Sequence, residues 1–511
     1  MAKTSHNGIV YLVGAGPGDP GLITVHGAQL LAECDAVVYD YLIPDELVVA
    51  LPPEVERHYV GKRSGKHSQP QETINDLLVT LAKAGKRVVR LKGGDPFIFG
   101  RGGEEAAFLR DHDVPFEIVP GVTSGVAGPA YVGIPTTDRV HASFVMFLAG
   151  HKAADKEVSG VPWDWVARAS GGTLVIYMGT RELPGIVEQL LAGGFPPDTP
   201  ACTIERGTFP TQRMVSSTLG KLPSEVAAAG LEPPALTVIG RVVELSETLQ
   251  WFERRPLFGL RVMVTRPADQ AGWVYARLRD LGAEVLPCPT ITTEKHNDEA
   301  AWRGVEALSV LQRWLVFTSE NGVRYFMERW LQNHDVRTLA GFKVAAVGFG
   351  TARALQQYHL TPDFMPDKAT TAELAFQMAS QLDLRKAAVV RVRGNLGDDR
   401  VEKILQEAGA SVIPLMVYRT FTPEWPPEMR EKVLAYPPNV IMFTSGSTAD
   451  GFVANLDEPT RRTLTEKAMI ASIGPSTSEI IRSHGMTVGL EAKIHSIPTM
   501  IDDLVAWRQN R

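Results

Sequence analysis

The chain has 511 residues, enough for three or four domains, with 44% hydrophobic and 22% charged residues, the balance of a globular protein with large cores. A formal net charge of -6 gives no support for nucleic-acid binding, so any basic site has to be local. There is no run of about 18 apolar residues and no signal-peptide pattern, which argues against a membrane span or export. Cys34, Cys202 and Cys288 lie far apart without CxxC spacing, and the histidines form no HxxxH or HxH pair. The composition therefore predicts a reduced, cytoplasmic protein that needs no metal.

In chain order, short Val/Ile-rich runs alternate with amphipathic stretches punctuated by Gly and Pro, which predicts α/β architecture with largely parallel sheets. The first run opens into YLVGAGPGDPGLIT, residues 11–24. Gly14 and Gly16 fit the dinucleotide fingerprint G-x-G-x-x-G, but Asp19 takes the third glycine position and Pro17 removes a backbone donor. Asp40, closing DAVVYD, stands where a ribose-binding acid would. VGKRSGKHSQPQETIN (60–75) then brings Lys62, Arg63 and Lys66 together without an acid, and RLKGGDPFIFGRGGEE (90–105) brackets a Gly-rich turn with Arg90, Lys92 and Arg101. Such cations suit a polycarboxylate ligand, although solvated surface charges look the same in sequence. VPGVTSGVAGPAYVGIP (119–135), LVIYMGT (174–180), RGTFPTQR (206–213) and PPALTVIGRVV (233–243) follow.

A break falls at ETLQWFERRPLFGLRVMVTRP, placing the main boundary between residues 250 and 258 and predicting two separable halves, 1–252 and 256–511. The second half repeats internally. VFTSENGVRYF matches MFTSGSTADGF and AAVGFGTARAL matches ASIGPSTSEII, with Ser319 to Ser445 and Gly348 to Gly474 both 126 positions apart. LGAEVLPCP matches AGASVIPLM at a shift of 127, from Gly282 to Gly409. Strands ending in Gly or Thr-Ser just before a helix predict two similar lobes with hydroxyls and helix N–H groups at a sheet edge. The same Thr and Ser would equally serve as helix caps.

The first-half motifs, in that order, closely resemble uroporphyrinogen-III C-methyltransferase of the tetrapyrrole methylase family, over residues 8–245. The resemblance implies two α/β lobes holding S-adenosylmethionine between them, not a nicotinamide fold. It assigns Asp40 and Lys62 to proton handling, and Pro17, Gly93, Gly94, Asp95, Ile98, Thr123, Ser124, Met178 and Gly207 to the methyl donor. With a substrate of eight carboxylates, Arg63, Lys66 and Arg101 become substrate-binding candidates. Gly125, where small apolar residues are usual, is a departure without evident consequence; Asp138 in GIPTTDR replaces a usual histidine, which leaves any substrate role there open.

The second half, on VTRP (264–267), FTSENGV (317–323), AVGFGTARAL (346–355), MVYRT (416–420), FTSGS (443–447) and IGPSTSEIIRSHG (473–485), resembles uroporphyrinogen-III synthase. That implies a two-lobed α/β synthase with a discontinuous first lobe, residues 257–289 plus 420–511, and a second lobe at 292–416. LPCPTITT and IPLMVYRT would be the crossings. Ser319, Thr351, Ser445 and Thr477 match cleft positions, and Tyr418 is the candidate for assisting loss of a hydroxyl. The fusion implies cyclisation of hydroxymethylbilane followed by two methylations, and a homodimer through the methylase half. A later corrin-ring methyltransferase joined to a two-lobed ligand-binding module stays open as an alternative, as do sirohaem and cobalamin as destinations.

Overall fold

In a computed structural model, residues 8–52, 54–61, 70–151, 160–397 and 399–510 are described. Lys62, Arg63 and Lys66 lie outside them. The first sheet contains β1 (Ile9–Gly14), β2 (Ala36–Tyr39), β3 (Glu56–Tyr59), β4 (Arg87–Lys92) and β5 (Phe116–Val119), in the order β3-β2-β4-β1-β5. All its pairings are parallel. The strands are apolar on both faces because helices cover both, as the buried run of β1 illustrates. Register aligns the strand ends: Gly14 pairs with Lys92, and Tyr39 with Leu91. The loops after β1, β2, β4 and β5 thus leave from one carboxyl edge.

A second sheet, of β6 (Val145–Ala149), β7 (Thr173–Tyr177), β8 (Pro200–Glu205), β9 (Arg213–Thr218) and β10 (Ala235–Ile239), has the order β6-β7-β10-β8-β9. Only β6 and β7 run parallel in it; the remaining pairings are antiparallel. The helix Ser246–Leu249 then leads into a bridge. There Trp251 and Phe252 pack on Tyr131 with ring centroids 5.1 and 4.8 Å away, while Leu257 is already buried in the next core.

The third sheet is wholly parallel, in the order β12-β11-β18-β19-β20, from β11 (Arg261–Val264), β12 (Glu284–Pro287), β18 (Val440–Phe443), β19 (Met469–Ser472) and β20 (Val488–Glu491). Val264 lies beside Met442 across nearly 180 intervening positions, so the chain departs from this sheet and returns to it. The fourth sheet takes the intervening strands β13 (Thr292–Lys295), β14 (Arg313–Phe317), β15 (Phe342–Ala346), β16 (Ala388–Gly394) and β17 (Ser411–Phe421), in the order β13-β17-β16-β14-β15.

By packing, the chain forms two compact units: one of Met1–Cys288 with Trp425–Arg511, the other of Pro289–Glu424. IPLMVYRT, expected to be a crossing, is instead the interior of β17. That 11-residue strand pairs with β16 along its first part and runs antiparallel to β13 at its end, where Thr292 meets Phe421. The return therefore comes after Phe421. Nor does the sequence break at residues 250–258 coincide with a gap in packing, because the first half and the 257–288 and 425–511 segments share one unit.

Candidate active sites

The loop after β1 is held by backbone contacts that require glycine. Gly94 N–H donates to the Gly16 carbonyl at 2.7 Å, and Gly16 N–H returns a bond at 3.2 Å. A side chain on Gly14 or Gly121 would collide with the other's backbone, and both Gly16 and Gly94 have positive φ, 76° and 69°. Asp19, at the third position of the failed fingerprint, ties this loop down. One of its oxygens accepts from Gly21 N–H at 2.8 Å and the other from the Tyr131 hydroxyl at 2.7 Å.

Asp95 shapes the turn after β4. Its Oδ1 accepts from Phe97 and Ile98 N–H at 2.8 and 3.1 Å, and its Oδ2 from Gly121 N–H at 3.0 Å. Both oxygens thus carry backbone bonds, so a ligand contact would use a remaining lone pair rather than a free carboxylate. Phe97, Ile98, Phe99 and Met178 stand exposed, an apolar surface whose exposure is unusual for large side chains unless something packs there. Met178 also takes positive φ, 54°. Thr123 precedes the helix Ser124–Tyr131, and its hydroxyl lies 2.7 Å from the Tyr177 hydroxyl, which also accepts from Gly125 N–H at 2.8 Å. A methyl group at Gly125 would overlap that phenol. The Gly125 departure therefore has a consequence: it makes room for Tyr177, a residue that sequence reasoning missed. Gly207 approaches Gly128, where an added Cβ would lie 3.0 Å from Cα.

Asp40 follows β2 at the same edge. Its Oδ1 accepts from Leu42 N–H at 3.1 Å, and Arg90 Nη2 lies 3.4 Å from its Oδ2. Arg90 and Lys92, expected to meet substrate carboxylates, are buried and already satisfied. Fully buried Glu105 accepts from Arg90 Nε at 3.2 Å and from Lys92 Nζ at 2.9 Å. Burial, with Arg90 beside it, pushes the Lys92 ammonium below its usual range. Arg90 thus holds Asp40 as well as Glu105, while Lys92 is engaged by Glu105. Arg101 remains on the surface, forked onto Glu104 at 3.0 and 2.7 Å. Asp138 closes a turn, its Oδ1 accepting from Val140 and His141 N–H.

The fourth sheet carries a second constellation. Tyr418 on β17 stacks on Tyr325, with centroids 5.7 Å apart, and its hydroxyl lies 3.1 Å from Ser319 Oγ. Burial pushes its phenol up, so it stays protonated. A cavity of about 370 Å³ is lined by Ser319, Tyr418, Gly394, Arg391 and Arg393 among others. Arg391 and Arg393 alternate along the otherwise apolar β16 and share Glu402; Arg393 Nη1 bonds it at 2.9 Å and exposed Asp399 at 2.8 Å. These two arginines were also missed, although a pair spaced i, i+2 in the apolar run AAVVRVRGN is a legible signal.

The hydroxyls of the repeat divide by role. Ser319 caps the helix Glu320–Trp330, accepting from Gly322 N–H at 2.9 Å, and Ser445 caps Gly446–Asn455 through a reciprocal capping box. Thr351 and Thr477, at matching positions in the helices that follow Gly348 and Gly474, are each only 4% exposed. Ser445 and Thr477 lie in the larger unit, Ser319, Thr351 and Tyr418 in the smaller.

Two family descriptions match these two regions: Tetrapyrrole (Corrin/Porphyrin) Methylases over residues 9–223, and Uroporphyrinogen-III synthase HemD over residues 274–502. A Ruminiclostridium josui protein called Porphyrin biosynthesis protein HemD is 36% identical over 504 residues, covering 98% of each chain. The Bacillus subtilis Uroporphyrinogen-III C-methyltransferase is 44% identical over 291 residues, 56% of this chain and 59% of that protein. The solved uroporphyrin-III C-methyl transferase from Thermus thermophilus, complexed with S-adenyl homocysteine, is 43% identical, and the match covers 47% of this chain and 100% of that one at a TM-score of 0.39. The chain belongs to the family of proteins that join a tetrapyrrole methylase to a uroporphyrinogen-III synthase.

Proposed function

We propose that the chain is a bifunctional enzyme of tetrapyrrole biosynthesis. The second half cyclises hydroxymethylbilane to uroporphyrinogen III with inversion of the last ring, and the first half methylates that product twice to precorrin-2. The observation that carries the methylase reading is the shared carboxyl edge, where the Gly14 loop, the Gly93–Asp95 turn and Asp40 leave adjacent strands. S-adenosylmethionine fits this edge: backbone-lined glycines admit close approach, and Ile98 and Met178 offer apolar contact. When bound, it supplies an electrophilic methyl group to an electron-rich pyrrole carbon.

The chain's own residues position and handle protons. The Gly16–Gly94 backbone pair and the Thr123–Tyr177 contact fix the walls of the donor site, so orientation accounts for much of the acceleration. Asp40, oriented by Leu42 N–H and Arg90, takes the proton that neutralises the methylated ring, shed from a ring nitrogen or an adjoining bridge carbon because the methylated carbon carries no hydrogen. Arg101 can exchange Glu104 for a substrate carboxylate at the surface. Lys62, Arg63 and Lys66 complete this reading as proton donor and carboxylate partners.

In the synthase half, the protonated Tyr418 phenol donates a hydrogen bond to the departing hydroxyl, with Ser319 beside it. Arg393, whose partner Asp399 is exposed, can take a substrate carboxylate in its place. Ser445, Thr351 and Thr477 are assigned to substrate through the family resemblance. The reading includes a homodimer and a cytoplasmic setting. Among the described residues, no helix is long and apolar enough to cross a membrane. Asp40→Asn tests the methylase assignment: turnover should fall far more than donor affinity measured by calorimetry, and unchanged turnover would remove Asp40 from the chemistry.

A further inference from the structure

The turn that carries Asp40 runs directly into a five-residue helix, Asp45–Val49, that has Pro44 at its N-cap and no side-chain cap. A helix this short is not stable by itself. Its first turn holds two acids, and both are met by cations from the synthase half: Arg279 Nε lies 3.4 Å from Glu46 and Lys432 Nζ 2.5 Å from Asp45. The Glu46 side chain is only 11% exposed, so this is not a loose surface pair. The helix packs against β12 of the third sheet.

Arg279 is itself anchored. Its carbonyl accepts from Arg255 Nη1 at 2.9 Å, and the Arg255 guanidinium sits over Trp251 and Phe252 at 4.8 and 5.2 Å. Those rings pack on Tyr131, whose hydroxyl holds Asp19 of the donor loop. One chain of contacts therefore links the donor loop, the bridge, the synthase lobe and the Asp40 turn.

We propose that Arg279 is a positioning residue of the methyltransferase: the synthase lobe, through its contact with Glu46, holds the Asp40 turn in register with the donor loop. The inference rests on Asp40 acting in methylation. Its effect belongs to turnover, not to donor affinity, because Arg279 touches the helix after Asp40 and no element assigned to the donor. Synthase chemistry should be unaffected, since Arg279 belongs to the larger unit and the fourth-sheet site to the smaller.

The test uses the full chain with Arg279→Ala and Arg279→Lys, measuring methylation of supplied uroporphyrinogen III and cyclisation of hydroxymethylbilane on the same preparations. Arg279→Ala should lower methylation kcat by about tenfold, the scale expected for a sub-ångström misplacement, with the donor KM and the cyclisation rate retained. Arg279→Lys should recover most of the loss. Unchanged methylation overturns the proposal, as does a parallel fall in both activities, which would mark a purely structural role. A lysine variant as slow as the alanine variant overturns the ionic basis. Asp40→Asn in the same assay separates failures: if it too leaves turnover unchanged, the assignment of Asp40 has failed rather than the contact with Arg279.

Discussion

Gly125→Ala is expected to damage the donor site through Tyr177. An alanine methyl at this position would occupy the space of the Tyr177 phenol, a ring that is 7% exposed and has little room to retreat. Overpacking of this kind costs about 1–3 kcal/mol. Moving the hydroxyl also loses its contacts with Thr123 and Gly125 N–H, about 1 kcal/mol each. Alanine regains about 1 kcal/mol in helix propensity. The net is a destabilisation of ~2–4 kcal/mol, because the steric and hydrogen-bond losses together outweigh the propensity gain. Tyr177→Phe alone should cost ~2 kcal/mol, since it removes the same two hydrogen bonds. The double variant should then cost about 2 kcal/mol less than the sum of the singles, because those bonds are lost only once. Urea denaturation of the four proteins gives the cycle, and calorimetry should show weaker S-adenosylmethionine binding wherever Thr123 is displaced. Strict additivity, within about 0.5 kcal/mol, would refute the steric link between Gly125 and Tyr177.

Other outcomes follow from the buried charges and the second site. Glu105→Gln leaves Lys92 buried without its counter-charge and Arg90 with Asp40 alone, and should cost about 3–5 kcal/mol in urea unfolding; a cost below about 1 kcal/mol would mean the cluster is solvated. Glu46 is pushed up from 4.5 to about 7 by burial, against the pull of Arg279, with Asp19 and Asp45 adding to the rise. Its proton is held more tightly in the folded chain, so stability should fall as pH rises from about 4.5 to about 7, by at most ~3 kcal/mol, and Glu46→Gln should flatten that slope. Tyr418→Phe should slow cyclisation by about tenfold or more while leaving methylation intact, as expected for a lost hydrogen-bond donor; equal cyclisation rates would reduce the tyrosine to packing.

The legible parts of the sequence were those written in local chemistry. Gly14, Gly16 and Gly94 announce tight backbone approach, and Asp40 sits at a strand end that alternation alone predicts. The repeat at Ser319 and Ser445 gave paired lobes because each strand ends in a cap for the next helix. Less visible were contacts made by long-range packing. Glu105 reads as a surface acid of a helix N-terminus, yet it is fully buried between two cations from β4. Tyr177 looks like the last core residue of a strand, and only the approach of Gly125 reveals its hydroxyl as a fastener. IPLMVYRT reads as a crossing because it matches LPCPTITT in the repeat, but it is instead paired along β17, with Pro414 accommodated beside Arg391. Asp45 and Glu46 read as ordinary first-turn acids; their partners Arg279 and Lys432 stand more than 200 positions away.

A single incubation can show whether one chain carries both activities on successive substrates. The full-length protein is given linear hydroxymethylbilane, with and without S-adenosylmethionine, and the products are separated by chromatography and mass. Without the donor, uroporphyrinogen III should form in place of the spontaneous type I isomer; with it, a product carrying two added methyl groups, each in exchange for a proton. Type I isomer alone in the first case, or unmethylated uroporphyrinogen III in the second, would contradict the bifunctional reading.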